Sequence, residues 1–194
     1  MNMNMNMNMN MNTNMNTNMN IILVSGVCVI GILCTYQIVH TMYRRYKRKQ
    51  HYKLAQDKAL LTNKKLLVIG DPKNGLVNSF TGVDYGYGDE CLDLTGCPDA
   101  PPNVVKYKGK LEDILPSIDL RERVLFISHV LEQVDEIDKV IDILKEMDKQ
   151  DLFILTVSPY TLEGLWYPNF ITGEPTMKRI VHYHNGQITY TKKK

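Results

Sequence analysis

Short runs of apolar residues recur along the C-terminal two thirds of this chain, and each run is bounded by polar or turn-forming residues. The clearest run, at 124–127, passes directly into Ser128 and His129. A strand that is covered on both faces has such a continuous apolar pattern, so we expect a buried parallel strand here. By this pattern and by shorter apolar stretches, the sequence predicts strands over 64–70, 90–94, 104–108, 123–128 and 151–157.

Two further patterns complete the predicted fold. Apolar residues at three- and four-residue steps predict an amphipathic helix over 130–149, whose other face is acidic early and basic late. Near the C-terminus, strand-like segments at 179–184 and 187–191 flank Asn185 and Gly186, a dipeptide typical of hairpin turns. Together these elements predict an α/β fold, with a mostly parallel, Rossmann-like sheet and an antiparallel C-terminal hairpin.

The N-terminal residues have a different pattern. Residues 1–20 alternate Met and Asn, with two Thr and no charge, so the sequence predicts a disordered low-complexity tail. Met19 directly precedes the next apolar run and is an alternative start of the protein. Residues 21–39 carry no charge over 19 positions. A helix of that length spans a bilayer core of about 30 Å, so the sequence predicts one transmembrane helix.

A basic segment at 40–63 follows this apolar run and is predicted to be a juxtamembrane linker. It includes Arg44, Arg45 and Arg48, with tyrosines between the basic residues. Basic residues mark the cytoplasmic side of a span, and tyrosines suit the membrane interface. We therefore expect the tail outside and a cytoplasmic domain over 64–194, anchored in the lipid bilayer of a host cell or a virion.

The charge balance bears on the partners of the basic segment. Between residues 44 and 53 lie six of the 23 Lys and Arg residues, and the other 17 stand against 21 Asp and Glu. Because the rest of the chain is mildly acidic, contact with nucleic acid is disfavoured. Attraction to anionic lipid head groups is the favoured interpretation of the basic segment.

Cysteines and histidines indicate no metal site. Cys91 and Cys97 lack paired histidines, so zinc is not expected, and a cytoplasmic domain is expected to keep both thiols reduced. His182 and His184 alternate in a predicted hairpin strand without a third ligand, which favours surface positions.

The α/β region resembles the class I S-adenosylmethionine-dependent methyltransferases over 64–157, and more loosely over the hairpin. LVIG at 67–70 is similar to the family's first strand and glycine turn, and CLDL at 91–94 to its second strand with a ribose-binding acidic residue. LFISHVLEQV at 125–134 is similar to the family's SHVLEHV pattern on the methionine and substrate side. KGKLEDIL at 108–115 resembles the loop whose acidic residue lies beside the adenine.

This resemblance implies S-adenosylmethionine as the cofactor and a methyl acceptor of unknown kind. Gly70 would allow close approach of the backbone, and the Asp93 carboxylate could accept from both ribose hydroxyls. His129 is the candidate catalytic residue, because it could orient or deprotonate the acceptor. Turn capping by Asp93 and a purely structural role of His129 at the strand end stay open. The implied cofactor-binding residues are Gly70, Asp93, Leu94, Glu112, Asp113 and Ser128.

The chain also departs from the family pattern. Pro72 stands where the family has its middle glycine, and Lys73 adds positive charge beside a sulfonium cofactor. Only about twenty residues separate the first two strands, and the passage at 158–175 stands where a helix is expected. We expect the aromatic residues at 166–170 within it to form a lid, a core edge or a membrane contact. Two functions therefore stay open: a methyltransferase, and a catalytically inactive module that serves as a membrane-tethered binding or structural protein.

Overall fold

A computed structural model describes residues 5–73, 82–156, 179–184 and 186–192, and within these ranges it describes side chains from residue 24 to residue 191. The chain divides into two compact units, Met1–Met42 and Tyr43–Lys194. The predictions on the aromatic stretch at 166–170 and on the end of the glycine turn lie outside the described residues.

The first element, α1, is an α-helix over Met5–Thr62. Among the described residues it is the one helix long and apolar enough to cross a membrane, and it lies near the N-terminus. The Thr35 hydroxyl donates to the Gly31 carbonyl oxygen at 2.8 Å, so this polar side chain is satisfied within the helix. The sequence predicts disorder over 1–20, whereas the helix begins at Met5. Propagation from the adjoining apolar segment adds one hydrogen bond per residue without a new nucleus, which offsets the low helix propensity of the alternating asparagines.

Five parallel strands form the main sheet, in the order β3-β2-β1-β4-β5. The central strands β1 and β4 pair with Leu67 opposite Leu125 and Ile69 opposite Ile127. Both strands are buried on both faces, which confirms the predicted parallel α/β sheet. The strands are β1 Lys65–Ile69, β2 Glu90–Asp93, β3 Val105–Lys108, β4 Arg123–Ser128 and β5 Leu152–Leu155.

The C-terminal part of α1 packs on one face of this sheet. Ala55 and Ala59 are buried there because their small side chains let the helix approach the strands closely. One side of this part of α1, predicted as part of a linker, therefore packs into the core of the α/β unit. The strand residues in this cluster are Leu66, Val68, Val124 and Phe126.

The opposite face of the sheet is covered by α2 over Leu111–Ile114 and α3 over Ile137–Lys145. Helix α3 is thus shorter than the helix that the apolar pattern predicts over 130–149. Leu131 and Val134 are buried in the same core, but they lie in the irregular segment before α3, so the pattern reports burial rather than helix. Short 3-10 helices occur at Leu115–Ser117, Leu120–Glu122 and Lys149–Asp151.

The predicted C-terminal hairpin is present. Strand β6 at Arg179–His184 pairs antiparallel with β7 at Gln187–Lys192, in a two-stranded sheet separate from the main one. The Tyr183 hydroxyl donates to the Leu152 carbonyl oxygen at 3.3 Å, and the Tyr190 hydroxyl lies 3.0 Å from the Asp138 carboxylate. The hairpin is therefore held against β5 and α3 by side chains.

Candidate ligand site at the carboxyl edge of the sheet

The order of the strands reverses its direction between β1 and β4. From β1 the chain proceeds outward to β2 and β3, whereas β4 is followed by β5 on the other side. Open α/β sheets bind their ligands at such a reversal, outside the carboxyl ends of the strands. Gly70 directly follows β1, and Ser128 and His129 lie at the end of β4. Three of the sequence-predicted site residues therefore lie at this reversal.

Gly70 is required by the close approach of the ends of β1 and β4. Its φ angle is +103°, and a Cβ atom there would lie 3.0 Å from Val130 Cγ2 and 3.1 Å from the Ser128 carbonyl oxygen. Its amide donates to the Leu92 carbonyl oxygen at 2.9 Å. The need for glycine thus arises from neighbouring protein atoms at this turn.

Asp93 ties the end of β2 to the turn after β1. Its carboxylate accepts from the Asp71 amide at 3.1 Å, and from the amide and hydroxyl of Thr95 at 2.8 and 2.7 Å. The turn-capping role is therefore present. A carboxylate has about four acceptor positions, so these three bonds leave room for one more donor.

A disulfide joins Cys91 of β2 to Cys97, and their Cα atoms are 6.4 Å apart. The prediction that both thiols stay reduced is wrong for this structure. That prediction considered only the redox state of the compartment, whereas the turn after β2 returns Cys97 to the side of the strand. The disulfide closes a ring that includes Asp93.

Asp71 and Tyr87 are site residues that the sequence reasoning missed. One Asp71 oxygen accepts from the Lys73 amide at 2.9 Å and from the Tyr87 hydroxyl at 3.3 Å. Burial, followed by the Asp71 charge, raises the pKa of Tyr87 far above its ordinary value, so the hydroxyl keeps its proton. The Lys73 ammonium lies 3.6 Å from an Asp99 oxygen, so this charge is paired. The repeated Tyr-Gly at 85–88 is the sequence signal that could have identified Tyr87.

His129 forms a sharp backbone corner at the end of β4. Its φ angle is +57°, which is unusual for a residue with a side chain, and its amide donates to the Leu155 carbonyl oxygen at 3.0 Å. Burial lowers the pKa of the imidazole well below its ordinary value, and the charges of Arg48 and Arg44 lower it further. The side chain is therefore neutral at physiological pH. Strained residues of this kind cluster at functional sites.

Arginines of the basic segment lie beside this corner. The Arg48 guanidinium lies 2.9 Å from an Asp84 oxygen and 5.6 Å from the centre of the Tyr85 ring. Arg45 donates to the Gly82 carbonyl oxygen at 2.7 Å. These arginines therefore contact the α/β unit, while Lys49 stays exposed. The sequence assigned the whole run to the membrane surface because it could not show which side of the helix packs on the sheet.

The remaining predicted residues differ in exposure. Ser128 is buried at the end of β4. Glu112 is also buried, and its carboxylate accepts from the Asp135 amide at 3.1 Å, so it holds the turn before α3. Asp113 and Leu94 are exposed. Of the two acidic candidates for the adenine, Asp113 is therefore the one accessible to a ligand.

An open cavity lies at the opposite, amino-terminal edge of the sheet. It has a volume of about 550 Å³, and its lining includes Ile118, Met147 and Arg121. Lys64 and Asp151 also line it, with their charged atoms 2.7 Å apart. Within the described part of the chain, no three His, Cys, Asp or Glu side chains are grouped so that they could hold a metal ion.

Comparison with known proteins identifies no relative of this chain: no family model matches it, and neither a curated protein nor a solved structure does so.

Proposed function

We propose that this chain is a membrane-anchored methyltransferase-like protein that binds S-adenosylmethionine at the reversal between β1 and β4 and methylates an unknown acceptor. The supporting observation is the strand order β3-β2-β1-β4-β5 with Gly70, Asp93 and His129 at the carboxyl edge. Ligands of open α/β sheets bind at this reversal of strand order.

The residues of this edge fit the polar groups of the cofactor. Asp93 has one acceptor position for a ribose hydroxyl beside its three internal bonds. Asp113 is exposed at the start of α2 and could accept from the adenine amino group. Leu94, which is 53% exposed, offers an apolar surface beside Asp93. Together these side chains would hold the nucleoside.

Bound S-adenosylmethionine would supply a methyl group on a positively charged sulfur. His129 is held neutral by burial and by the neighbouring arginines, so an imidazole nitrogen keeps its lone pair. A lowered pKa makes the imidazole a weak base, and its main contribution would be to orient the acceptor by accepting its hydrogen bond. Alignment of the two reactants lowers the barrier to transfer because their relative motion is already restricted.

The proposed location is a lipid bilayer, with the tail outside and the α/β unit in the cytoplasm. The basic residues after the apolar segment support this orientation, and the exposed Lys49 and Lys53 also support attraction to anionic lipid head groups. Tyr43 and Tyr46 are 57% and 58% exposed, as expected for interfacial tyrosines. If the C-terminus is protected from protease in sealed microsomes, this orientation is wrong; we expect it to be digested.

Calorimetry of the full chain in detergent micelles tests the proposed cofactor. We expect S-adenosylhomocysteine to bind, and Asp93→Ala to weaken binding by about 1–3 kcal/mol, the range for loss of a hydrogen bond to a charged group. Because Asp93→Ala also removes internal bonds, Asp113→Asn provides a second variant at an exposed position. No binding at millimolar ligand would overturn the proposal.

A matched control is available on α3. Asp142 is exposed and pairs only with Lys145 among the described contacts, at 2.9 Å. Asp142→Asn removes one negative charge as Asp113→Asn does, at a position away from the carboxyl edge. We expect it to leave binding unchanged, and an equal loss in both variants would show a general charge effect.

A catalytically inactive binding module is the second candidate. Three internal bonds already use the Asp93 carboxylate, Pro72 is buried in the turn after β1, and residues 82–89 form no helix. The three bonds hold the Asp93 turn in place without a ligand. Incubation with radiolabelled S-adenosylmethionine and extracts of lipid, protein or nucleic acid separates the candidates. Ligand binding without any labelled product favours the module.

A further inference from the structure

We propose that the Cys91–Cys97 disulfide is a redox latch that holds the Asp93 segment in its ligand-binding conformation. The identity of the ligand rests on the proposed function, whereas the action of the latch on the segment does not. Cys91 lies in β2 and Cys97 lies six residues later, so the ring closed by the disulfide contains Asp93 and Thr95. These two residues form the capped turn that presents the Asp93 carboxylate.

Part of the backbone in this ring has an unfavourable conformation that another interaction must stabilise. Gly96 and Cys97 have φ angles of +80° and +50°, so two consecutive residues are left-handed. Glycine adopts this region readily, but a residue with a Cβ atom does so at a cost. The disulfide compensates for this cost at Cys97, because it holds the residue against β2. Without the disulfide, we expect the turn to populate other conformations.

The ring is also joined to the neighbouring turn of the site. The Asp93 carboxylate accepts from the Asp71 amide, and the Asp93 carbonyl oxygen accepts from the amides of Gly96 and Gly109 at 3.0 and 3.2 Å. A change in the ring would therefore reach the turns after β1 and β3. The ligand edge would lose its arrangement on the β2 side.

Both sulfurs are protected by a small apolar cluster. Cys91 and Cys97 have no exposed surface, and they pack with Ala100 and Val104 beside Tyr87. A cluster of this size buries little apolar area, so local opening costs less than unfolding of the main core. Because a reductant must reach a sulfur, we expect reduction to require this opening and to be slow in the folded chain.

The chemistry balances with glutathione as the reductant. One glutathione thiolate attacks a sulfur of the disulfide, which forms a mixed disulfide and releases the other cysteine as a thiolate that takes up a proton. A second glutathione thiolate attacks the glutathione sulfur, which releases the second cysteine and forms glutathione disulfide. Two electrons pass from the two glutathiones to the cysteine pair. Glutathione disulfide closes the latch by the reverse exchanges.

Hydrogen–deuterium exchange of the full chain in detergent tests the latch. Cys28 and Cys34 are free, so replacement of both by Ser gives a background in which reduction acts only on the Cys91–Cys97 pair. With dithiothreitol, or with Cys97→Ser, we expect exchange in residues 94–109 to quicken at least about tenfold, as for local opening of a segment. Peptides from β4 and β5 are the internal control and should not change.

Binding of S-adenosylhomocysteine to the oxidised and reduced forms completes the test. Weaker binding after reduction, together with faster exchange in 94–109, supports the proposal in full. Unchanged exchange in that segment after confirmed reduction overturns the latch. Faster exchange with equal binding in both forms overturns its control of the ligand. Faster exchange without binding in either form supports the latch on the segment and overturns the proposed function.

Discussion

The two edges of the main sheet are built by different interactions. At the amino-terminal edge, side chains at the starts of three strands form a charge network. The buried Glu90 carboxylate lies 2.7 Å from Arg123 and 3.3 Å from Lys65. At the carboxyl edge, carboxylates instead accept from backbone amides, as Asp93 does from Asp71 and Thr95.

This difference separates charges that stabilise the strands from polar groups that keep bonding capacity. Charges at the amino-terminal edge are paired with one another, so they stabilise the starts of strands. The carboxyl edge holds left-handed residues such as His129, a neutral imidazole and a carboxylate with an acceptor position left. Backbone strain of this kind is stabilised by the surrounding fold and is typical of binding sites. We therefore expect mutations at the amino-terminal edge to lower mainly the free energy of unfolding. Mutations at the carboxyl edge should weaken mainly ligand binding.

Arg123→Met should produce the largest loss of stability. Arg123 makes two contacts with Glu90, at 2.7 and 3.0 Å, and its removal leaves Lys65 as the cationic partner of a carboxylate that is 1% exposed. Breaking a buried ion pair by removal of one partner costs about 3–5 kcal/mol. Urea unfolding of the full chain in detergent, followed by near-ultraviolet circular dichroism, measures the free energy of unfolding.

Lys145→Met is the matched control for this variant. Lys145 pairs with Asp142 at 2.9 Å, but both side chains are mostly exposed. Exposed pairs contribute about 0–1 kcal/mol, so this variant should be close to wild type. Equal losses in the two variants would contradict the importance of the buried network.

Gly70→Ala should have a smaller effect on stability and a clear effect on binding. The new methyl group would lie 3.0 Å from Val130 and 3.1 Å from the Ser128 oxygen, at a φ angle of +103°. Residues held in sparsely populated backbone regions cost about 1–3 kcal/mol. Because the ends of β1 and β4 must then separate, binding of S-adenosylhomocysteine should weaken as well.

Gly82→Ala separates backbone strain from close packing. Gly82 has a φ angle of +76°, but no atom lies within 4 Å of the position that the new methyl group would take. This variant carries the conformational cost alone. If Gly82→Ala lowers the free energy of unfolding as much as Gly70→Ala does, the close approach of the strand ends adds nothing to the stability loss of Gly70→Ala.

The sequence predicted the sheet well because buried parallel strands have a simple signature. The strand at 123–128 has the predicted bounds, and the other strands of the sheet differ by one or two residues at an end. The same signal misled the prediction over 130–149. Leu131 and Val134 continue the apolar period of α3, yet they lie in the irregular segment before it. Periodicity alone cannot distinguish buried residues of such a segment from those of a helix.

The candidate site was less predictable because its contacts are distant in sequence. Local patterns located Gly70, Asp93 and His129 at strand ends. They could not show that the Asp93 carboxylate bonds to the Asp71 amide, or that Arg48 lies near His129. The Cys91–Cys97 disulfide joins residues only six positions apart, but the sequence could not show that the turn between them brings the two sulfurs together. The sequence thus locates the edge, and the fold determines which groups meet there.

The two edges should also differ in the pH range over which they affect the free energy of unfolding, and this is the smallest effect that we expect. Burial alone would raise the pKa of Glu90, but the bonds to Arg123 and Lys65 lower it on balance below 4.5. The folded chain therefore binds fewer protons than the unfolded chain at Glu90, so this stabilisation is present above the ordinary carboxyl pKa. It is lost as the pH falls through the folded pKa.

His129 should act in a higher pH range with the same sign. Its folded pKa lies well below the ordinary value of 6.5, so its contribution is present above pH 6.5 and is lost as the pH falls toward the folded pKa. Asn tolerates left-handed backbone, so His129→Asn keeps the corner and removes the titration. Urea unfolding across pH 5–8 should show a flatter curve for this variant than for wild type. The difference between the two curves isolates His129 from the other four histidines of the chain. If the two curves run parallel, the protonation of His129 does not affect the stability of the fold, and the proposed difference between the two edges in pH range is wrong.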